Sequence, residues 1–198
     1  SGFYPVSSGE LKIGGVDISK YKRETLEHEI AFVFQNAKLF KTSIYENVKI
    51  GRPDASREEV IKALDLAMCG SILDKFETRE DTIIGAKGVH LSGGETQRIA
   101  IARAILKDAP IIILDEASAA SDPENEYEMQ QAFSKLMEGK TVIMIAHRLS
   151  SIRNVDEILV VEDGKVTERG SHDELMKKDS KYKNLQNLYN QANEWRLS

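Results

Sequence analysis

Three short apolar runs in this chain stop abruptly at polar residues that can do chemistry. Residues 30–34 stop at Gln35, residues 111–114 at Asp115-Glu116, and residues 141–146 at His147. In an open sheet of parallel strands, ligands bind beyond the carboxyl ends of the strands, so all three sites fall where such chemistry is done. Isoleucines running into paired carboxylates form an arrangement that holds Mg²⁺ and orients a water beside a nucleotide. Taken singly, each has a plainer reading: acids cap strand ends at surfaces, a lone glutamine is often a solvated loop residue, and a lone histidine is often structural. Leu91-Ser92-Gly93-Gly94-Glu95 shifts that balance. Two glycines ahead of a helix let a ligand approach the backbone, and the helix start offers free N–H groups and a positive dipole end to an anion. Ser92 with Glu95 also has the spacing of a capping box, but a cap does not require consecutive glycines.

The elements that must position these groups can be read from the pattern. Residues 9–17 read as a short strand and turn, and residues 30–34 as a strand. Between residues 43 and 73 the period is helical: Ser43 with Glu46, and Ser56 with Glu58 and Glu59, mark helix starts, and Val60, Ile61, Leu64 and Met68 recur at helical spacing. Residues 85–90 form a loop leading to a helix over 95–107. Runs at 110–114, 141–146 and 157–161 follow, with a helix starting at Asp122-Pro123 and ending near Gly139 between the first two. Short apolar strands alternating with helices indicate a parallel sheet covered on both faces. The tail from Ser171 onward is polar and helical.

Composition bounds the rest. The 198 residues carry 41% hydrophobic and 30% charged side chains and a net charge of −5. That is a globular balance, and it argues against a surface built to neutralise nucleic-acid phosphates. Nothing resembles a signal peptide or a membrane span. The single cysteine, Cys69, lies in an apolar helical stretch and reads as a packed thiol. His28, His90 and His172 lack partners at metal-ligand spacing and read as surface or loop residues, while Tyr4, Tyr45 and Trp195 read as packing residues.

Together these residues resemble the nucleotide-binding domain of an ATP-binding cassette (ABC) transporter. Leu91–Glu95 is similar to the family's signature, and Thr96-Gln97-Arg98 continues it. Residues 111–116 resemble its Walker B strand and adjoining glutamate, Phe34-Gln35-Asn36 its Q-loop, Ala120-Ser121-Asp122 its D-loop and Ala146-His147-Arg148 its H-loop. Each match is weak alone; the ordered set over nearly the whole chain is specific, and residues 39–48 further resemble the exporter branch. The resemblance implies an α/β fold of the P-loop NTPase type, a parallel sheet flanked by helices, with a helical subdomain at about 43–92 and a helical tail at about 171–198. It implies ATP and Mg²⁺, with Glu116 as general base or water-orienting residue, Asp115 binding the metal, Gln35 contacting metal and attacking water, and His147 bonding the γ-phosphate. Ser92, Gly93, Gly94, Glu95 and Asp122 would contact ATP, the signature gripping a γ-phosphate held mainly by a second such domain. The implied partners are that second domain, identical or different, and a transmembrane domain at the cytoplasmic face of the cell membrane, with no nucleic acid. A soluble ABC protein acting on ribosomes or DNA is disfavoured, because a compact helical lobe alone fills the span from Gln35 to Leu91. A non-catalytic fragment is the third alternative.

The sequence departs from the family pattern in one large respect. A P-loop needs G-x-x-x-x-G-K-[S/T]. Gly139-Lys140-Thr141 supplies the last letters, but Ser134 stands where the first glycine should be, and the tripeptide runs from helix into strand rather than the reverse. The expectation is a domain whose opening strand and P-loop precede Ser1, leaving an interior sheet edge between the strands at 141–146 and 157–161 open to an added strand. Two smaller departures are Ala119 in the D-loop and Ala86 ahead of the signature. These 198 residues alone are then expected to bind Mg·ATP very poorly and hydrolyse none; tight ATP binding in a calorimetric titration would contradict this.

Overall fold

A computed structural model describes residues 4–85, 89–115, 123–146, 149 and 151–197. They form two compact units, Ser1–Ile145 and Ala146–Ser198.

The first unit opens with an antiparallel pair, β1 (Lys12–Ile13) and β2 (Val16–Asp17), followed by α1 (Arg23–Glu29) and β3 (Ile30–Val33). The helices α2 (Ile44–Lys49), α3 (Arg57–Leu66) and α4 (Gly70–Leu73) come next, then the long α5 (Gly93–Lys107), β4 (Ile111–Asp115), α6 (Pro123–Met137) and β5 (Thr141–Ile145). Strands β3, β4 and β5 pair in that order as a parallel sheet, with Ile30 opposite Ile111 and Ile111 opposite Thr141. This is the α/β arrangement that the alternating pattern predicts.

Helix starts fall where the side chains can serve them. Ser43 accepts from the Glu46 N–H, and Ser56 with Glu59 closes a full capping box. At the far end of α5 Asp108 adopts a left-handed conformation (φ 54°), ending the helix and reversing the chain into β4. Its carboxylate receives Lys140, 2.6 Å away.

A single core joins the sheet to the helices. Ala31, Val33, Ile112 and Leu114 on one sheet face pack with Ile44 and Val48 of α2, Val60 and Leu64 of α3, Ile99 and Ile101 of α5, and Ala132 and Leu136 of α6. Cys69 is fully buried there, and desolvation pushes its thiol up to about 12, so it is the packed thiol expected. One polar side chain is equally buried. Asn47 accepts from the Phe40 N–H at 2.8 Å and from Arg103 Nη2 at 3.2 Å, and its amide donates to the carbonyls of Phe40 and Ser43. Arg103 Nε also donates to the Asn47 carbonyl at 2.8 Å. Beside this hub Gly51 lies so close to α5 that a Cβ there would stand 2.3 Å from the Arg103 carbonyl oxygen.

Helices flank the parallel sheet, and at β5 Ile143 and Ile145 are each 54% exposed while Phe32 stacks on the exposed Phe34. Alternation along β5, not a continuous buried run, is the pattern realised. The run at 157–161 lies in the second unit and is not paired with β5, as the expected open edge requires. In the second unit β6 (Ile158–Glu162) pairs antiparallel with β7 (Lys165–Gly170) across Asp163-Gly164, both at positive φ, the geometry of a tight hairpin turn. A five-residue apolar run carries no information about strand direction; the turn residues do.

The second unit continues with α7 (His172–Lys177) and α8 (Lys181–Leu197) over a small core of Ile158, Leu175 and Tyr182. Ser171 and Glu174 cap α7 with a box, and the Glu168 carboxylate accepts the Lys181 and Tyr182 N–H groups that open α8. His172 is not a free surface residue, since its Nδ1 lies 2.8 Å from the buried Tyr182 hydroxyl, which also accepts from Gln186 Nε2. Tyr4, expected to pack, is 87% exposed. No helix among the described residues is long and apolar enough to cross a membrane.

Asn47→Ala leaves the Phe40 N–H and Arg103 Nη2 without the side-chain oxygen that accepts from both. We expect a loss of about 2 kcal/mol or more in chemical denaturation, against well under 1 kcal/mol for the same truncation at an exposed polar residue.

Candidate functional site

The turn that opens α5 is built from its own side chains. Ser92 is extended (φ −64°, ψ 166°), and its Oγ accepts from the Glu95 N–H at 3.2 Å. The Glu95 carboxylate returns to accept the Ser92 N–H at 2.6 Å. This is the capping box foreseen as the plain reading of the pair, and it leaves chemistry available. An α-helix cannot pair its first amides internally, and with Ser92 N and Glu95 N satisfied by the box, Gly93 and Gly94 supply the remaining open donors. The Ser92 hydroxyl spends a lone pair on Glu95 and keeps its proton to donate outward. Ser92 and Gly93 are exposed, and a Cβ at Gly93 would meet no atom within 4 Å. The fold itself therefore does not require glycine at this position.

Behind the turn the polar groups are buried and paired. The Glu95 side chain is only 7% exposed, and its other oxygen forms an ion pair with Lys75, from the segment after α4. Burial pushes the Glu95 carboxyl up, but the hydrogen bonds from Lys75 and from the Ser92 N–H outweigh it, and the net result lies below the ordinary carboxylate value. One turn further along α5, Arg98 is 2% exposed; it pairs with Glu128 of α6 and donates to Asn125 Oδ1 at 3.0 Å. Glu128 in turn accepts from Ser71 Oγ at 3.2 Å. Arg98 Nε and Gln97 Nε2 are buried with no hydrogen-bond partner among the described residues. Sequence reasoning found Glu95 but missed Lys75, whose partner lies twenty positions away with no local signal.

The strand-end group sits at one edge of the parallel sheet. Val33, Asp115 and Ile145 close β3, β4 and β5 at that edge, and in register Val33 is opposite Leu114 and Asp115 opposite Ile145. Exposed Gln35 follows β3 by two residues, so Gln35 and half-buried Asp115 emerge from adjacent strands at the same end. Helix α5 packs on β3 and the chain reverses within three residues into β4. Its fifteen residues span about 22 Å, so the signature turn faces the end of the unit toward which β4 runs. Glu116, His147 and Asp122, with Ala86 and Ala119, lie outside the described residues.

Near the turn, Leu39, Phe40, Val89, His90, Leu91 and Thr96 help line a cavity of about 200 Å³. Phe40 is 61% exposed at this place.

The lowered Glu95 value makes the turn acid-sensitive. A carboxylate whose pKa is lower folded than unfolded stabilises above the ordinary value of 4.5, and that contribution is lost as pH falls through the folded-state value. Thermal melts of the chain and of Glu95→Gln should therefore differ at pH 7 and converge as the pH falls below 4.5 and through the folded-state value. A constant difference across that range would show that the Glu95 charge plays no part.

The family model described as ABC transporter matches residues 1–119. The chain is 46% identical over 187 residues to the ATP-dependent lipid A-core flippase of Vibrio vulnificus (strain YJ016), covering 94% of this chain and 32% of that protein. It is 45% identical over 188 residues to the putative multidrug export ATP-binding/permease protein YgaD of Bacillus subtilis (strain 168), covering 95% and 32%. It is 45% identical over 188 residues to the lipid A-core flippase of Neisseria meningitidis serogroup A, covering 95% and 30%. The chain thus spans about a third of the length of the curated relatives it matches. With most of its length matched by the family model and nearly all of it by these exporters, the chain belongs to the ABC transporter family.

Proposed function

We propose that this chain is the signature-bearing part of an ATP-hydrolysing domain that drives an exporter from the cytoplasmic face of a membrane. The observation that carries this is the turn at Ser92–Glu95. It offers two open backbone donors, a hydroxyl proton and a helix start to an anion, over space that the chain's own packing leaves empty. In this reading Ser92, Gly93 and Gly94 grip the γ-phosphate of an ATP bound mainly by a second domain, so a homo- or heterodimer is part of the mechanism.

The strand-end residues take the hydrolytic roles. Asp115 and Gln35, adjacent hard oxygen donors at the sheet edge, suit a divalent cation of the Mg²⁺ type. Bound there, Mg²⁺ would supply neutralisation of charge on the phosphates. Asp115 would hold it through water, and Gln35 would reach both the metal and the attacking water. Glu116 would orient and deprotonate that water, His147 would donate to the γ-phosphate, and Asp122 would carry contacts across the dimer from the D-loop. Little covalent chemistry falls to the protein; positioning and charge stabilisation carry the rate. The cavity beneath exposed Phe40 suits docking of a transmembrane domain, through which closure would be coupled to transport.

Gly93→Asp tests the reading in the full-length protein. An acid in the first turn favours the helix dipole, and its Cβ meets nothing in the fold, so the melting temperature should hold or rise slightly. A carboxylate in the phosphate position should lower ATP turnover by about a hundredfold or more. Turnover equal to wild type would overturn the assignment of this turn.

A further inference from the structure

An anion site at a helix start gains from every positive charge and loses from every negative one. The signature turn nevertheless carries a carboxylate within it. The Glu95 oxygen lies 2.6 Å from the N–H of Ser92, the residue next to Gly93, and the side chain is nearly excluded from water, where charge is poorly screened. Some cation must balance it if a triphosphate is to dock there. Among the described residues two face it: Arg98 from the next turn of α5, and Lys75 from the segment after α4. The Arg98 guanidinium is engaged by Glu128 and Asn125 of α6, so its charge is already matched by that of Glu128. Lys75 is the cation whose loss would leave the turn with a net negative charge.

We propose that Lys75 is a positioning residue for nucleotide binding: its ion pair with Glu95 cancels the charge of the carboxylate beside the signature turn. This rests on the reading that the turn receives a γ-phosphate. The Lys75 side chain is 59% exposed, and an ion pair with an exposed partner adds little to stability. Its influence on an incoming anion is a separate matter, because the uncompensated Glu95 charge would act at short range from a dry position. A merely structural Lys75 would show its loss in the melting temperature; a compensating Lys75 would leave the melt nearly unchanged and show its loss in ATP affinity, only while residue 95 is ionised.

A double-mutant cycle in the full-length protein separates the two. Lys75→Met should weaken ATP affinity, read as the ATP concentration giving half-maximal dimer closure and as KM, by roughly fivefold with little change in kcat. Lys75→Arg should restore the affinity, and the effect of Lys75→Met should vanish in a Glu95→Gln background. Equal effects of Lys75→Met in both backgrounds, or none in either, would overturn the proposal. Thermal melts of the same variants report on folding, and the comparison of Lys75→Arg with wild type stands even where Lys75→Met unfolds. If Gly93→Asp leaves ATP affinity untouched, the underlying reading fails instead, and Lys75 falls with it.

Discussion

An α-helix cannot satisfy its first amides from within, and this constraint shapes the chain. Five helices describe how the sequence meets it: α2, α3, α5 and α7 begin at a serine cap, and α8 borrows the Glu168 carboxylate from β7. Among these helices α5 alone has a cap followed by two glycines, the first of them over open space. The same backbone physics that elsewhere just starts a helix leaves, at this place, a set of donors with no partner among the described residues.

What holds that turn in place is the burial of α5. Ile99, Ile101 and Ala102 are fully buried, and the helix packs on α2, α3, α6 and β3 at once. A helix enclosed on so many sides cannot yield at its start without disturbing its neighbours. The polar groups along it are ties to particular partners: Glu95 to Lys75, Arg98 to Glu128 and Asn125, and Arg103 to Asn47. Buried charges of this kind add little net stability, since desolvation offsets attraction, but removing one partner leaves the other stranded. They fix which arrangement is adopted, which is what a site of this precision needs.

Local chemistry was legible in the sequence and distant pairing was not. Serine caps at Ser43, Ser56 and Ser92, the apolar strands at 30–34, 111–114 and 141–146, and the buried thiol at Cys69 all follow from spacing and residue type. The direction of β6 does not, because an apolar run looks alike in parallel and antiparallel sheets, and the polar Lys165–Gly170 gives no strand signal for its partner. Asn47 with Arg103 and Lys75 with Glu95 are invisible for another reason: each joins side chains far apart in sequence, so no periodicity encodes them. The ordered motifs identified the family without knowledge of any of these ties. The ties instead explain why the turn can keep its shape.

Two glycines show how packing and function can be told apart. At Gly51 a Cβ would stand 2.3 Å from the Arg103 carbonyl oxygen, so the fold forbids a side chain whatever the protein does. At Gly93 a Cβ would meet nothing, the residue sits in the first turn of a helix where alanine would serve better, and the conformational freedom of glycine is a cost to folding. A residue that weakens the helix and relieves no clash within the chain is best explained by something outside it that must come close to the backbone. A position bordered by a hydroxyl proton and the first amides of a helix, and backed by a carboxylate already matched with a lysine, suits an anion, which is the sign that the proposed reading requires.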